Sequence, residues 1–537
     1  MTERSRRRTT PRARIAARAL GSGLLVLAAG ALSSAPPANP AVPAMPRASA
    51  IRDQVRAYRV RHDKEIVKEL ADWVSLRNVA VDRADIERNA QALVQMLGRR
   101  GIEARLLTAG DSPPAVYGEL RAAGARRTVV FYAHYDGQPA DPADWKSDPW
   151  RAVLRSGPLT AKPRDIDLAA VAGPLDGEWR LFARSASDDK GPIVGMLVAL
   201  DALRAAGIAP AVNLKFFFEG EEEAGSPHLT AILESHHDLL AADAWVLADG
   251  PEHQSGRMQV CFGARGASTV EVTVYGPVRA LHDGHYGNWA PNPAALLVQL
   301  LASVRGPQGE ILIHGFNDEV RPLSDSELRA AAEMPPVEEA LERELGLAWT
   351  EGGGARLQEA VMRPALNLRG LKAAQVGKQG RNAVPTEASA SIDFRLVPDQ
   401  TPAKVRARFE EHLRQAGYYL VDKEPDLATR RAHARIVRLE WELGYPGART
   451  SMDLPASRAV LRTAEEGVGG AVIKVPMLGG SIPMYLFTES LAAPVIIVPT
   501  VNYDNSQHAA DENLRLQNLW DGIELFATLF VRLGNGW

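Results

Sequence analysis

The chain has 537 residues, 46% of them hydrophobic and 24% charged, with a formal net charge of −3. That composition is globular, with length for a large core and more than one domain, and it lacks the positive field that nucleic-acid binding requires. A single cysteine, Cys261, excludes an intrachain disulfide and a cysteine-built metal site, so any metal must be held by nitrogen and oxygen.

Residues 1–50 read as an export signal: an Arg-rich start, an apolar run from Ala19 to Leu32, then a Pro/Ala/Ser-rich tract. The run is too short for a comfortable membrane span, and no cysteine follows it for lipid attachment. This stretch carries a net +7, so the chain without it would carry about −10. The layout predicts a bacterial-type exported protein, periplasmic or secreted, with no stable membrane span after signal removal.

From Ile51 the spacing predicts an amphipathic helix, and "DIERNAQALVQMLGRRG" predicts a second that ends at Gly101. Strands follow at "EARLLT", "AVYGEL" and "TVVFYAHY". "GPIVGMLVALDALRAAG" is a helix entered through Pro192, and "VNLKFFFEGEEE" and "AWVLADG" are further buried strands. Alternating strands and helices predict an α/β, doubly wound domain. After "VCFGARGAS" the texture changes: "STVEVTVYG" and "ASASIDFRLVP" alternate apolar and polar, as half-exposed antiparallel strands do. The end returns to a buried strand, "VIIVPTV", and a long helix. Residues 51–264 and 476–537 are thus expected to form one domain, interrupted by an α+β insert at 265–475.

Three apolar strands run into acidic or imidazole groups: His134 and Asp136; Glu219 to Glu223; and Asp249. "SASDDKGP" brings Asp188 and Asp189 to the start of a helix, and His508 follows "VIIVPTV". Singly these are ordinary. A histidine after a strand is usually structural, a glutamate run is usually solvated, and Asp188 could cap a helix. Together they predict one cleft beyond the strand ends, where divalent cations would relieve the repulsion among the carboxylates.

In this order, "HYDGQP" (134–139), "SDDKGP" (187–192), "EGEEEAGS" (219–226), "LADG" (247–250) and "QHAADEN" (507–513) resemble the co-catalytic zinc peptidases of the carboxypeptidase, dipeptidase and aminoacylase family. The dipeptidase or carnosinase branch is the most similar, through "HYDGQP". The resemblance implies a zinc-peptidase catalytic domain with a lid and dimerisation insert, and two zinc ions with a water between them. His134 and Asp249 would complete one ion, Glu223 and His508 the other, and Asp188 would bridge both. Manganese or cobalt could replace zinc. It also implies a cis peptide between Asp188 and Asp189, and Glu222 as general base toward the metal-bound water. Period two along the strand puts His134 and Asp136 on one side, so Asp136 can accept the free ring N–H of a metal-bound His134. From "ALHDGHYG", His282 would stabilise the oxyanion in the other subunit of a homodimer. From "GRNAVPTEA", "DFRLVP" and "GGSIP", Asn382, Arg395 and Ser481 would contact substrate. The expected reaction is hydrolysis of dipeptides or short peptides with a free carboxylate; the alternative on this scaffold is removal of an acyl group from an N-acyl amino acid. Four features depart from the family pattern and bear on substrate preference: Ser185 where glycine is usual, Asp283, Trp289, and an insertion from Ser156 to Asp176.

Overall fold

The computed structural model describes residues 46–482, 484–535 and 537. The predicted signal run, Ala19 to Leu32, lies outside them. Among the described residues no helix is long and apolar enough to cross a membrane.

The larger sheet has eight strands, in spatial order Ala104–Leu107, Ala115–Leu120, Asn213–Glu219, Thr128–His134, Ala244–Leu247, Val495–Ile497, Gln259–Cys261 and Ile473–Val475. Its four central strands, from Asn213–Glu219 to Val495–Ile497, are parallel. Helices cover both faces. Phe131, Phe216 and Phe218 pack toward helices Ala48–Val74, Lys190–Ala205 and Leu516–Arg532. Val130, Tyr132, Phe217 and Trp245 pack toward Leu229–Ser235 and Met484–Leu491. Because successive side chains point to opposite faces and both are covered, these strands are apolar at nearly every position. The carboxyl ends of the parallel strands therefore carry the polar groups.

The second sheet runs Ala365–Lys372, Glu387–Leu396, Gly263–Tyr275, Ile436–Tyr445, Tyr419–Val421. Among the described residues, helices Pro293–Val304 and Pro402–Gln415 cover one face. Val270, Val272 and Val274 are accordingly buried while Glu271 is exposed. The long strand Gly263–Tyr275 joins the two regions, pairing at its start with Ala448–Arg449 and Leu478–Ser481. Any side chain at Gly266 would overlap the backbone of Tyr445 to Gly447, so this crossing requires glycine. Helix Pro455–Val468 and strand Ile473–Val475 pack with the larger sheet.

A small third sheet pairs Val153–Arg155 and Asn513–Arg515 with Arg180–Phe182. The intervening insertion lies over the first helix, where Asp63 Oδ2 accepts from Leu175 N at 2.6 Å. This sheet sets the loop that precedes Asp188 beside the loop that follows His508.

Candidate metal centre

Two groups of ligating side chains meet at the carboxyl ends of the central strands, and they share one residue. His134, Asp188 and Asp249 form the first; Asp188, Glu223 and His508 form the second. His134 Nε2 lies 3.0 Å from Asp188 Oδ1, and His508 Nε2 lies 3.1 Å from both Asp188 Oδ2 and Glu223 Oε2. Ligand atoms on a tetrahedral zinc stand about 3.3 Å apart, given bonds of about 2.0–2.1 Å. Asp188 Oδ2 is buried and makes no hydrogen bond of acceptable alignment. Imidazole nitrogens and carboxylate oxygens at this spacing, with a buried oxygen left over, fit divalent metal.

The backbone explains how these residues arrive together. His134 ends strand Thr128–His134, and Asp249 follows the neighbouring strand Ala244–Leu247, with Tyr132 opposite Leu247. Glu222 and Glu223 open a short 3₁₀ turn after Asn213–Glu219. The Asp188–Asp189 peptide is cis, as expected. Asp188 does not cap the following helix; Asp189 holds that position and makes no side-chain cap bond.

Charge is concentrated here. Burial and the nearby Asp188 carboxylate push Asp249 up to about 7. Burial, with Asp249 and Glu223 adding repulsion, pushes Glu222 well above the usual carboxylate range. The Asp188 and Glu223 carboxylates beside its ring raise His508 to about 10. Burial opposes the Asp188 charge, but the two imidazoles hold that carboxyl below its ordinary value. A carboxylate cluster that must share protons and imidazolium charge to coexist is a natural cation site.

The structure gives Asp136 a somewhat different task from the expected one. Its Oδ1 stands 3.3 Å from His134 Nδ1, near enough to attract the ring charge but off the line of a hydrogen bond. Its well-aligned partners are Glu222 N at 3.2 Å and Glu223 N at 3.0 Å. Asp136 thus fixes the turn that carries the two glutamates.

The family model described as peptidase family M20/M25/M40 matches residues 130–532. The chain belongs to this family. It is similar to the Cys-Gly metallodipeptidase dug1 of Schizosaccharomyces pombe, 28% identical over 471 residues that cover 86% of this chain and 92% of that protein. It is 27% identical to the human Beta-Ala-His dipeptidase over 548 residues, covering 97% and 98% of the two chains. Among solved structures, the M20 family metallo-carboxypeptidase Sso-CP2 from Sulfolobus solfataricus superposes with a TM-score of 0.70 at 26% identity, covering 88% of this chain and 99% of that one. Human carnosine dipeptidase 1 gives 0.67 at 25%, covering 91% and 99%. The protein is accordingly a hydrolase of the metallopeptidase class, in an α/β fold with an inserted α+β domain.

Two segments of the insert, around His282 and Asn382 and 100 residues apart, come together in the structure. Leu281–His282 pairs with Ala383–Val384, and Asp283 N donates to Asn382 O at 3.2 Å. His282 and Asn382 are both exposed. The contacts of the His282 ring are with its own segment: Gly284 N at 3.1 Å and the His285 ring at 4.7 Å. The structure does not bring His282 onto the metal-ligand groups of its own chain. Arg395 and Ser481 both pair through their backbones with strand Gly263–Tyr275, opposite Ala267 and Arg265. Both positions lie at the crossing between the two large sheets, where Arg395 Nε also donates to Asp393 Oδ2 at 2.9 Å.

Ser185 has φ 62, the left-handed region that favours glycine, so the usual glycine has a backbone reason. Here the serine is tolerated because Asn78 Nδ2 donates to its Oγ at 3.0 Å. The same Oγ occupies the space above Gly137, where a Cβ would overlap it. Gly137→Ala is therefore expected to shift the Asp188 loop and lower kcat at least tenfold. Adding Ser185→Gly should recover most of that loss, a coupling that a double-mutant cycle reads directly.

Sequence reasoning used Gln138 only to separate peptidase from deacylase and missed its contact, and it missed Lys190 and Glu512. Gln138 Nε2 donates to Glu223 Oε2 at 2.8 Å, so the residue that distinguishes "HYDGQP" touches a candidate ligand. Lys190, fully buried, donates to Trp73 O, Leu76 O and Asn89 Oδ1 at 3.1, 3.1 and 2.7 Å, tying the Asp188 loop to the first two helices. Glu512, also fully buried, is bonded throughout to the Asp188 loop. Its place in "QHAADEN", four residues after His508, is the one sequence signal that points to it.

Proposed function

We propose that this metallopeptidase hydrolyses the peptide bond of dipeptides or short peptides bearing a free carboxylate, at two zinc ions and with Glu222 as general base. Manganese or cobalt would serve the same ligands. The observation that carries the reading is the sharing of Asp188 by two ligand groups. The relatives named for Cys-Gly and Beta-Ala-His dipeptides support the substrate class.

His134 and Asp249 would hold one ion, Glu223 and His508 the other, with Asp188 between them. When bound, the pair supplies Lewis acidity and a water of lowered pKa. Glu222 neighbours both groups and belongs to neither, a position from which a carboxylate can take a proton from water and return it to the leaving amine. Arg395 offers the planar fork that binds a carboxylate in two places, and Ser481 and Asn382 would complete the substrate contacts. The second sheet and its two helices, within residues 265–475, would act as lid and dimerisation unit; helix Pro455–Val468 and strand Ile473–Val475, expected in that insert, belong instead with the larger sheet. His282, with a side chain 57% exposed, would reach the substrate oxyanion of the partner subunit, and a monomer with full activity would refute that assignment. Residues 1–50 would direct export to the periplasm or beyond.

Zinc-reconstituted protein assayed against dipeptides, tripeptides and N-acyl amino acids tests the reading. Dipeptides should be turned over at least tenfold faster, in kcat/KM, than any N-acyl amino acid. Faster turnover of the acyl compounds would make the protein a deacylase on the same scaffold.

A further inference from the structure

We propose that Glu512 is the positioning residue that sets the separation between Asp188 and His508, and that it thereby governs occupancy of the second metal group without entering it. The inference rests on the dinuclear reading above.

Glu512 accepts from donors on one loop at both of its oxygens. Oε2 takes Arg184 Nη1 and Ser185 N, each at 2.9 Å; Oε1 takes Ser187 N, Ser187 Oγ and Asp188 N at 2.9, 2.8 and 2.9 Å. A carboxylate has about four lone-pair sites, so this one is saturated. Each bond is to the segment that delivers Asp188. Glu512 itself lies four residues beyond His508, on the loop that delivers the histidine. One buried side chain therefore spans from one candidate ligand's backbone to the other's loop.

The His508 loop needs such a tether. Ser506, His508 and Asp511 have φ of 58, 60 and 62, a region that side-chain-bearing residues leave unless surroundings hold them. The surroundings belong to the same network: Arg184 Nη2 donates to Ala509 O at 3.1 Å, Ala183 N to Glu512 O at 3.2 Å, and Lys146 N to Asp511 Oδ1 at 2.8 Å. Beyond them Arg184 lies over the Trp145 ring at 5.1 Å.

The two metal groups differ in their dependence on this network. His134 and Asp249 follow hydrogen-bonded neighbours in the sheet, with Ala248 N donating to Tyr132 O at 2.9 Å. The sheet itself fixes their spacing. Asp188, Glu223 and His508 come from three separate loops, and His508 has a side chain 54% exposed. The first group draws only Asp188 from the clamped loops, whereas the second draws both Asp188 and His508, so loosening Glu512 should weaken the second group far more than the first.

Glu512→Gln tests this. The amide keeps the shape but turns an NH₂ toward N–H and O–H donors that have no other acceptor, so the clamp is broken without a cavity. Metal-free wild type and variant are titrated with Zn2+ by calorimetry, and bound zinc is counted after dialysis by mass spectrometry. Wild type should retain two zinc ions per chain. The variant should retain one, with the tighter dissociation constant within about threefold of wild type and the weaker one raised at least 30-fold. Ser187→Ala removes only the hydroxyl bond and should raise the weaker constant about threefold, which keeps the test open should Glu512→Gln fold poorly. Two zinc ions at wild-type affinity in both variants, or equal loss from both groups, would overturn the proposal. A wild type that binds fewer than two ions would instead overturn the dinuclear reading on which it rests.

Discussion

Glu222→Gln is expected to lower kcat by about 10³-fold, within the roughly 10²–10⁴-fold that a positioned general acid–base supplies, while zinc content stays at the wild-type level. The amide is isosteric and lies outside both ligand groups, so it removes proton transfer and little else. Its backbone N–H still donates to Asp136, which keeps the turn in place for Glu223. KM should change by less than about threefold, because an interaction made only during reaction leaves ground-state binding alone. A comparison of kcat, KM and bound zinc decides the matter. An unchanged kcat with both ions bound would remove Glu222 from the mechanism; loss of zinc would reassign it as a ligand.

Asp188→Ala should be more severe. It removes a member common to both groups and leaves His134 and His508 facing each other without the carboxylate that lies 3.0 and 3.1 Å from them. Zinc affinity should fall at both groups by more than the about 10–100-fold that follows loss of an outer partner, and activity should drop to background. Asp249→Ala, by contrast, touches the first group alone. Chelation of the wild type should abolish activity reversibly, with zinc restoring it. If Asp188→Ala instead weakened one equivalent of zinc and spared the other, Asp188 would be an ordinary ligand rather than a bridge.

Much of this was legible in the sequence because the physics is local. The unbroken apolar run before His134 and the alternation in "STVEVTVYG" follow from two-sided and one-sided burial, which composition and period report directly. Strand ends then locate His134, Asp249 and Glu223, since each polar residue follows a run that can only be a buried strand. Asp188 at a helix start and His508 after a buried strand are candidates from position alone; the resemblance supplies their roles, because their loops have no periodicity to read. What stayed hidden depends on contacts between distant segments. Glu512 lies 324 residues from Asp188, and a lone glutamate in a polar loop gives no sign that its carboxylate will be buried. Period two along the strand pairs Asp136 with His134, yet the best-aligned partners of Asp136 are 86 and 87 residues away. The small sheet formed by Val153–Arg155, Arg180–Phe182 and Asn513–Arg515 escaped notice for the same reason: three-residue strands have no pattern of their own. Ser185 was noted as a departure from glycine, but only the backbone shows why glycine is usual there and how Gly137 and Asn78 accommodate the change.

Zinc-edge anomalous scattering from crystals of the zinc-loaded protein is the most direct test of the central claim. Two peaks are expected, both in contact with Asp188, one also bonded to His134 and Asp249 and the other to Glu223 and His508. A single peak, or two peaks that do not share Asp188, would contradict it.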